Sequence, residues 1–126
     1  MLELDALGKI IVDSAMRVHS DIGHGLLESA YEACLAFELA DRGLSVRHQV
    51  PMPLVYRGVK LDVGYRIDLL VDERIVIEVK TASRLHPVHE AQLLSYLKLS
   101  GCKLGYLFNF HELHLKNGIK RMVNGF

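Results

Sequence analysis

The chain of 126 residues predicts a mixed α/β domain, with a mixed sheet of four to five strands flanked by helices. Three observations lead there. Apolar residues recur at helical spacing over residues 4–42. From residue 46 to residue 80 the texture turns to alternating and β-branched runs. One later helical stretch, residues 88–100, then leads into a short continuous apolar run. That last order is what a crossover helix and a strand covered on both faces produce. The length suits a single core, so residues 1–126 are read as one domain.

Each element has its own signal. Leu4, Leu7, Ile10, Ile11, Ala15 and Val18 predict an amphipathic helix over residues 4–20, broken by Asp21-Ile22-Gly23-His24-Gly25. Leu27, Ala30, Tyr31, Cys34, Leu35 and Leu39 predict a second helix over 26–42, stopped by Gly43. Val46 to Val50 alternates, Leu54-Val55-Tyr56 follows two prolines, and Arg57-Gly58 signals a turn. Leu61 to Val71 reads as one strand and Ile75 to Lys80 as the next. Val88, Ala91, Leu93, Leu94, Leu97 and Leu99 mark the third helix, closed by Gly101. Leu104 to Phe108 is the covered strand. Leu113–Lys116, Asn117-Gly118 and Ile119–Val123 predict a terminal hairpin.

Composition narrows the function classes. Half of the residues are hydrophobic and 24% are charged, with no low-complexity run, which excludes a disordered chain. No stretch approaches the ~18 apolar residues of a membrane span. The N-terminal residues show no signal-peptide pattern, and two cysteines make no disulfide framework or metal motif. A cytoplasmic protein without membrane contact is expected. The net charge of zero divides into −6 over residues 1–41 and +6 over residues 42–126. Either the two halves attract each other or the second presents a weakly basic face to a polyanion. A mean hydropathy of +0.18 is high for so small a domain and points to a homodimer.

The chemistry concentrates in residues 64–80. Strand parity places Ile67, Leu69 and Val71 on one face and Arg66, Asp68 and Leu70 on the other. In the next strand Ile75, Ile77 and Val79 form the apolar face, opposite Val76, Glu78 and Lys80. Matching the apolar faces demands an odd-length loop at Asp72-Glu73-Arg74 and sets Asp68 across from Glu78. Two carboxylates and an ammonium then share one patch of an otherwise apolar hairpin. One reading is an Asp–Lys–Glu ion cluster on a solvated face. The other is a site for a hard divalent cation, Mg²⁺ or Mn²⁺, relieving the repulsion between Asp68 and Glu78. Such an ion polarises a phosphate oxygen and acidifies water, and Lys80 neutralises the charge that develops.

Asp68 followed by Glu78-Val79-Lys80 resembles the core motif of the PD-(D/E)XK nuclease superfamily, with Ile67 where its name has Pro. Gly25-Leu26-Leu27-Glu28-Ser29-Ala30-Tyr31 is similar to the signature of the GxxExxY proteins, a small prokaryotic branch of it. The segments around Gln92 and Tyr96, Gly105 to Phe110 and Asn117 to Arg121 also resemble that branch. The resemblance implies a restriction-endonuclease-like core and a Mg²⁺- or Mn²⁺-dependent nuclease acting on DNA more readily than RNA. It implies Asp68, Glu78 and the Val79 backbone carbonyl as metal ligands and Lys80 as the catalytic lysine. Glu28 corresponds to an added acidic residue of the metal site. Gln92 and Tyr96, one helical turn apart, support the site and contact nucleic acid, with Tyr31 beside Glu28.

The alternative function is a non-catalytic module on the same fold that binds nucleic acid or a protein partner. A small oligomer whose acidic patch merely holds metal is a third class. His86 and His89 are secondary candidates for phosphate contact at the start of the third helix. His111, His114, Cys34 and Cys102 read as structural.

Overall fold

The structure is a computed structural model that describes residues 2–125. Helix α1 spans Leu4–Ile22 and α2 spans Glu28–Asp41. Strand β1 is Val46–Pro51, β2 is Leu54–Tyr56, β3 is Val59–Leu61, β4 is Arg66–Val71 and β5 is Ile75–Lys80. Helix α3, Pro87–Ser100, crosses to β6, Leu104–Asn109, and β7 is Ile119–Val123. The main sheet has the order β1-β4-β5-β6-β7, with β5 and β6 parallel and the other pairs antiparallel. The mixed α/β architecture expected from the sequence is therefore present, consistent with a restriction-endonuclease-like fold.

Helices α1 and α2 cover one face of the sheet and α3 covers the other. Leu7, Ile11, Leu35 and Leu39 pack with Leu69, Ile77 and Phe108 in the first core. Leu93 and Leu97 pack with Ile67, Val76 and Leu107 in the second. Residues 75–79 of β5 are all buried because both faces are roofed, which is why that strand reads as a nearly continuous apolar run. Gly105 lets α3 lie close to β6: a Cβ there would stand 3.0 Å from Leu93 and 3.1 Å from Leu97. Ion pairs Arg42–Asp13 (2.7 Å) and Arg121–Asp5 (3.2 Å) join the acidic first part of the chain to the basic second part.

The loop between β4 and β5 has the odd length that the pattern demanded. Val71 pairs with Ile75 across Asp72-Glu73-Arg74. Asp72 (φ 51) and Glu73 (φ 56) both take left-handed backbone, and the Asp72 carboxylate accepts the Ser45 N–H at 2.8 Å.

Three expectations need correction. Residues 61–71 are not one strand: Gly64 (φ 82) donates to the Asp62 carboxylate at 3.1 Å and the chain turns between β3 and β4. Residues 113–123 do not form a hairpin. Leu115–Gly118 makes a 3₁₀ turn, and β7 pairs with β6, Leu104 opposite Val123. A type I′ turn needs positive φ at both central residues, and neither Asn117 nor Gly118 has it. Leu115 is instead pulled into the core, and Gly118 packs against the Asn109 carbonyl. Finally, Ile67 joins the α3-side core rather than Leu69 and Val71. The side-chain alternation of β4 changes at Asp68, opposite Gln49, whose φ of 48 interrupts β1.

Candidate active site

The site forms where β4 and β5 part. Their paired ladder runs Val71–Ile75, Leu70–Val76 and Leu69–Ile77. One residue further on, side chains replace backbone partners. The Asp68 N–H donates to Glu78 Oε2 at 2.9 Å, and the Val79 N–H donates to Asp68 Oδ2 at 2.8 Å. Each carboxylate thus spends one oxygen on the neighbouring strand's backbone. Asp68 Oδ1 receives the Gln49 side-chain amide at 3.3 Å. Among the described residues no hydrogen bond reaches Glu78 Oε1, and no fully buried side-chain polar atom lacks a partner, so that oxygen is not wholly sealed from solvent.

Glu78 is 3% exposed. Burial, reinforced by the Asp68 charge, pushes its carboxyl up to about 8, against the pull of the Asp68 amide and Lys80. Lys80, at the end of β5, is half-buried and forms no ion pair among the described residues. Its ammonium nevertheless acts on three groups around the cleft, drawing Glu28 and Glu78 down and helping lower His89.

Helix α2 brings its N-terminal turn to this point. Glu28 is its first residue, and its carboxyl is raised by burial and by Asp68, opposed by Lys80 and the Thr81 N–H. Tyr31 is buried and stacks on Phe110, ring centroids 4.5 Å apart. Its hydroxyl donates to the Gly23 carbonyl at 2.7 Å and accepts the Leu26 N–H at 3.2 Å. Tyr31 therefore holds the loop through Gly25 (φ 93) that sets the direction from which Glu28 enters. The spacing Gly25, Glu28, Tyr31 has a physical meaning: a left-handed turn, a carboxylate at the helix start and an anchor one turn later.

Helix α3 closes the other side. The Gln92 amide donates to the Tyr96 hydroxyl at 3.1 Å, and the buried Tyr96 hydroxyl is raised by burial and by the nearby Glu78 charge. His86 and His89 cap this helix: the His86 N–H donates to His89 Nδ1 at 3.2 Å. His89 is lowered by burial, then by the charges of Lys80 and His86. His111 and His114 are exposed and lie on the loop leading to the 3₁₀ turn.

Among the described residues no three of His, Cys, Asp and Glu gather into a metal-holding group. Asp68 and Glu78 meet through their crossed amide bonds, and Glu28 feels the charges of Asp68 and Lys80 without forming a three-residue group with them. The donor set still suits a hard cation: two adjacent carboxylates, that of Glu78 buried, each with an oxygen beyond its backbone bond.

Comparison with known families bears on this arrangement. The family model of the PD-(D/E)XK nuclease superfamily matches residues 5–122. The chain belongs to that superfamily. Nucleases of this superfamily generally use divalent metal ions and act on nucleic acid. No curated protein and no solved structure gives a significant match.

Two residues that sequence reasoning passed over also belong to this site. Glu32 follows Glu28 by one helical turn, and its carboxyl is raised by burial and by Asp68. The Gln49 amide bridges both Glu32 oxygens, at 3.0 and 3.1 Å, to Asp68. The four-residue spacing of Glu28 and Glu32 was a readable signal that both face one way. Gln49 carried none, because its role depends on a left-handed backbone in mid-strand.

Proposed function

We propose that the chain is a Mg²⁺- or Mn²⁺-dependent nuclease of the GxxExxY branch that hydrolyses phosphodiester bonds, with DNA as the first substrate class and RNA as the second. The observation that carries this reading is the parting of β4 and β5 at Asp68 and Glu78 beside the Lys80 ammonium, which forms no ion pair among the described residues. Asp68, Glu78 and the Val79 carbonyl would hold the ion. Bound there, it supplies Lewis-acid polarisation of a phosphate oxygen and a more acidic water. Lys80 presents its charge to the phosphate where negative charge builds up. Gln92 donates to Tyr96, orienting a hydroxyl at the α3 wall of the cleft, and Glu28 provides a second carboxylate from α2 to receive or order water. The unpaired cysteines, Cys34 and Cys102, suit the reducing cytoplasm.

The test uses purified protein with single-stranded, duplex and flap DNA and RNA oligonucleotides in Mg²⁺ and then Mn²⁺. Lys80→Ala should retain metal binding and lose on the order of a hundred- to a thousand-fold in cleavage rate. Asp68→Ala should lose both. Cleavage that survives unchanged in Lys80→Ala is not this site's activity. A wild type that binds one of these oligonucleotides and cleaves none is the non-catalytic module instead.

A further inference from the structure

Asp68 lies between two faults in the sheet. On the β5 side the ladder ends at Leu69–Ile77, and the Asp68 N–H turns to Glu78 Oε2. On the β1 side the register passes from His48–Leu69 to Val50–Ile67 without Gln49 and Asp68. Gln49 takes a left-handed backbone at this step, φ 48. A residue other than glycine keeps that conformation inside a strand only where its surroundings hold it, and such positions gather at functional sites. Strand β1 is the edge of the sheet, so the fault disturbs one ladder alone.

The Gln49 side chain takes up what the backbone gives away. A primary amide carries two N–H donors and no charge. Gln49 shares them among both Glu32 oxygens, at 3.0 and 3.1 Å, and Asp68 Oδ1, at 3.3 Å. Two half-buried carboxylates of like charge are thereby joined by a neutral donor. Asp68 Oδ2 already accepts the Val79 N–H at 2.8 Å, so the Asp68 carboxylate is fixed at both ends. Each oxygen has a second lone pair beyond these bonds. A ligand held in this way needs no reordering when an ion arrives. Among the described residues Glu32 does not gather with Asp68 and Glu78 into a metal-holding group.

We infer that Gln49 is a positioning residue for Asp68, and that Glu32 acts on the metal site through Gln49, as the anchor on α2 that aims the amide. The inference rests on the reading of Asp68 as a metal ligand. It gives Glu32 a role unlike that of a ligand, although Glu32 lies one helical turn beyond Glu28. Losing a partner that orients a ligand typically weakens metal binding by about ten- to a hundred-fold.

The experiment titrates Mn²⁺ alone into the full chain by calorimetry, with far-ultraviolet spectra to show that each variant folds. Gln49→Met has nearly the same length and no donor. Gln49→Asn tolerates the left-handed backbone but falls one methylene short of the bridge. Both should bind Mn²⁺ about ten- to a hundred-fold more weakly than the wild type. Glu32→Gln and Glu32→Met remove the same charge, but only the first can still accept the Gln49 amide. Glu32→Gln should therefore bind more tightly than Glu32→Met, and the difference should vanish when each is combined with Gln49→Met. A difference that persists without Gln49 makes Glu32 a ligand in its own right and overturns the inference. So does a Gln49→Asn chain with wild-type affinity, which would assign the effect to the backbone. Asp68→Ala separates this inference from the one beneath it. If the wild type binds Mn²⁺ through Asp68 while both Gln49 variants bind equally well, the positioning role alone is wrong. A wild type that binds no Mn²⁺ removes the metal site and the positioning role with it.

Discussion

Replacing Glu78 by Gln tests whether the cleft holds a carboxylate that folding itself disfavours. The ordinary value of the group is 4.5, and burial with the Asp68 charge pushes it up to about 8 in the folded chain. The folded state therefore holds the proton more tightly than the unfolded state. The stability associated with this group is complete below about pH 4.5 and is lost as pH rises to about 8. At about 1.4 kcal/mol per unit of difference, the loss has a ceiling of roughly 5 kcal/mol. Water reaching Glu78 Oε1 from the cleft screens part of the charge, which leaves about 2–3 kcal/mol as the expected size. Glu78→Gln retains an oxygen to accept the Asp68 N–H and removes the titration. Urea unfolding of both proteins in a chelator, at pH 5, 6.5 and 8.5, measures the difference. Glu28 and Glu32, also raised, contribute a common slope, so the comparison isolates Glu78. The variant should gain about 2–3 kcal/mol on the wild type between the lowest and highest pH. Parallel stability curves would refute the claim that Glu78 is a desolvated charge.

Three further outcomes follow from the same geometry. Mg²⁺ or Mn²⁺ at a hundred times its dissociation constant should stabilise the wild type by roughly 2.7 kcal/mol in thermal melts, and the effect should vanish in Glu78→Ala and persist in His111→Ala. Gln49→Gly should change stability by under about 1 kcal/mol, since relief of the left-handed backbone offsets lost hydrogen bonds, yet weaken Mn²⁺ binding in calorimetry because Asp68 Oδ1 loses its partner. Tyr31→Phe should cost about 1–3 kcal/mol in urea unfolding by orphaning the Gly23 carbonyl and the Leu26 N–H.

Much of the candidate site was legible because it rests on local alternation. The positions of Asp68 and Glu78, the odd loop at 72–74 and the two-residue step to Lys80 all follow from matching apolar faces across one hairpin. The Gln92–Tyr96 hydrogen bond follows from helical spacing in the same way. The three helices were readable from their periodicity, and the parallel β5–β6 pair from the helix between them.

What the sequence by itself determined is therefore the set of elements and the short-range placement of their side chains. The tertiary structure decided whatever depends on competition between distant partners. Asn117-Gly118 carries a hairpin signature, but the free edge of β6 and the burial of Leu115 outweighed it. Ile67 changed faces because the backbone of Gln49, nearly twenty residues away, breaks the β1 ladder beside Asp68. Residues 54–61 carry a turn signal at Arg57-Gly58 between apolar residues, yet the ribbon they form stays outside the main sheet. Alternation states which side chains share a face; only the packed chain determines what covers that face, because burial is a property of the neighbours and not of the strand.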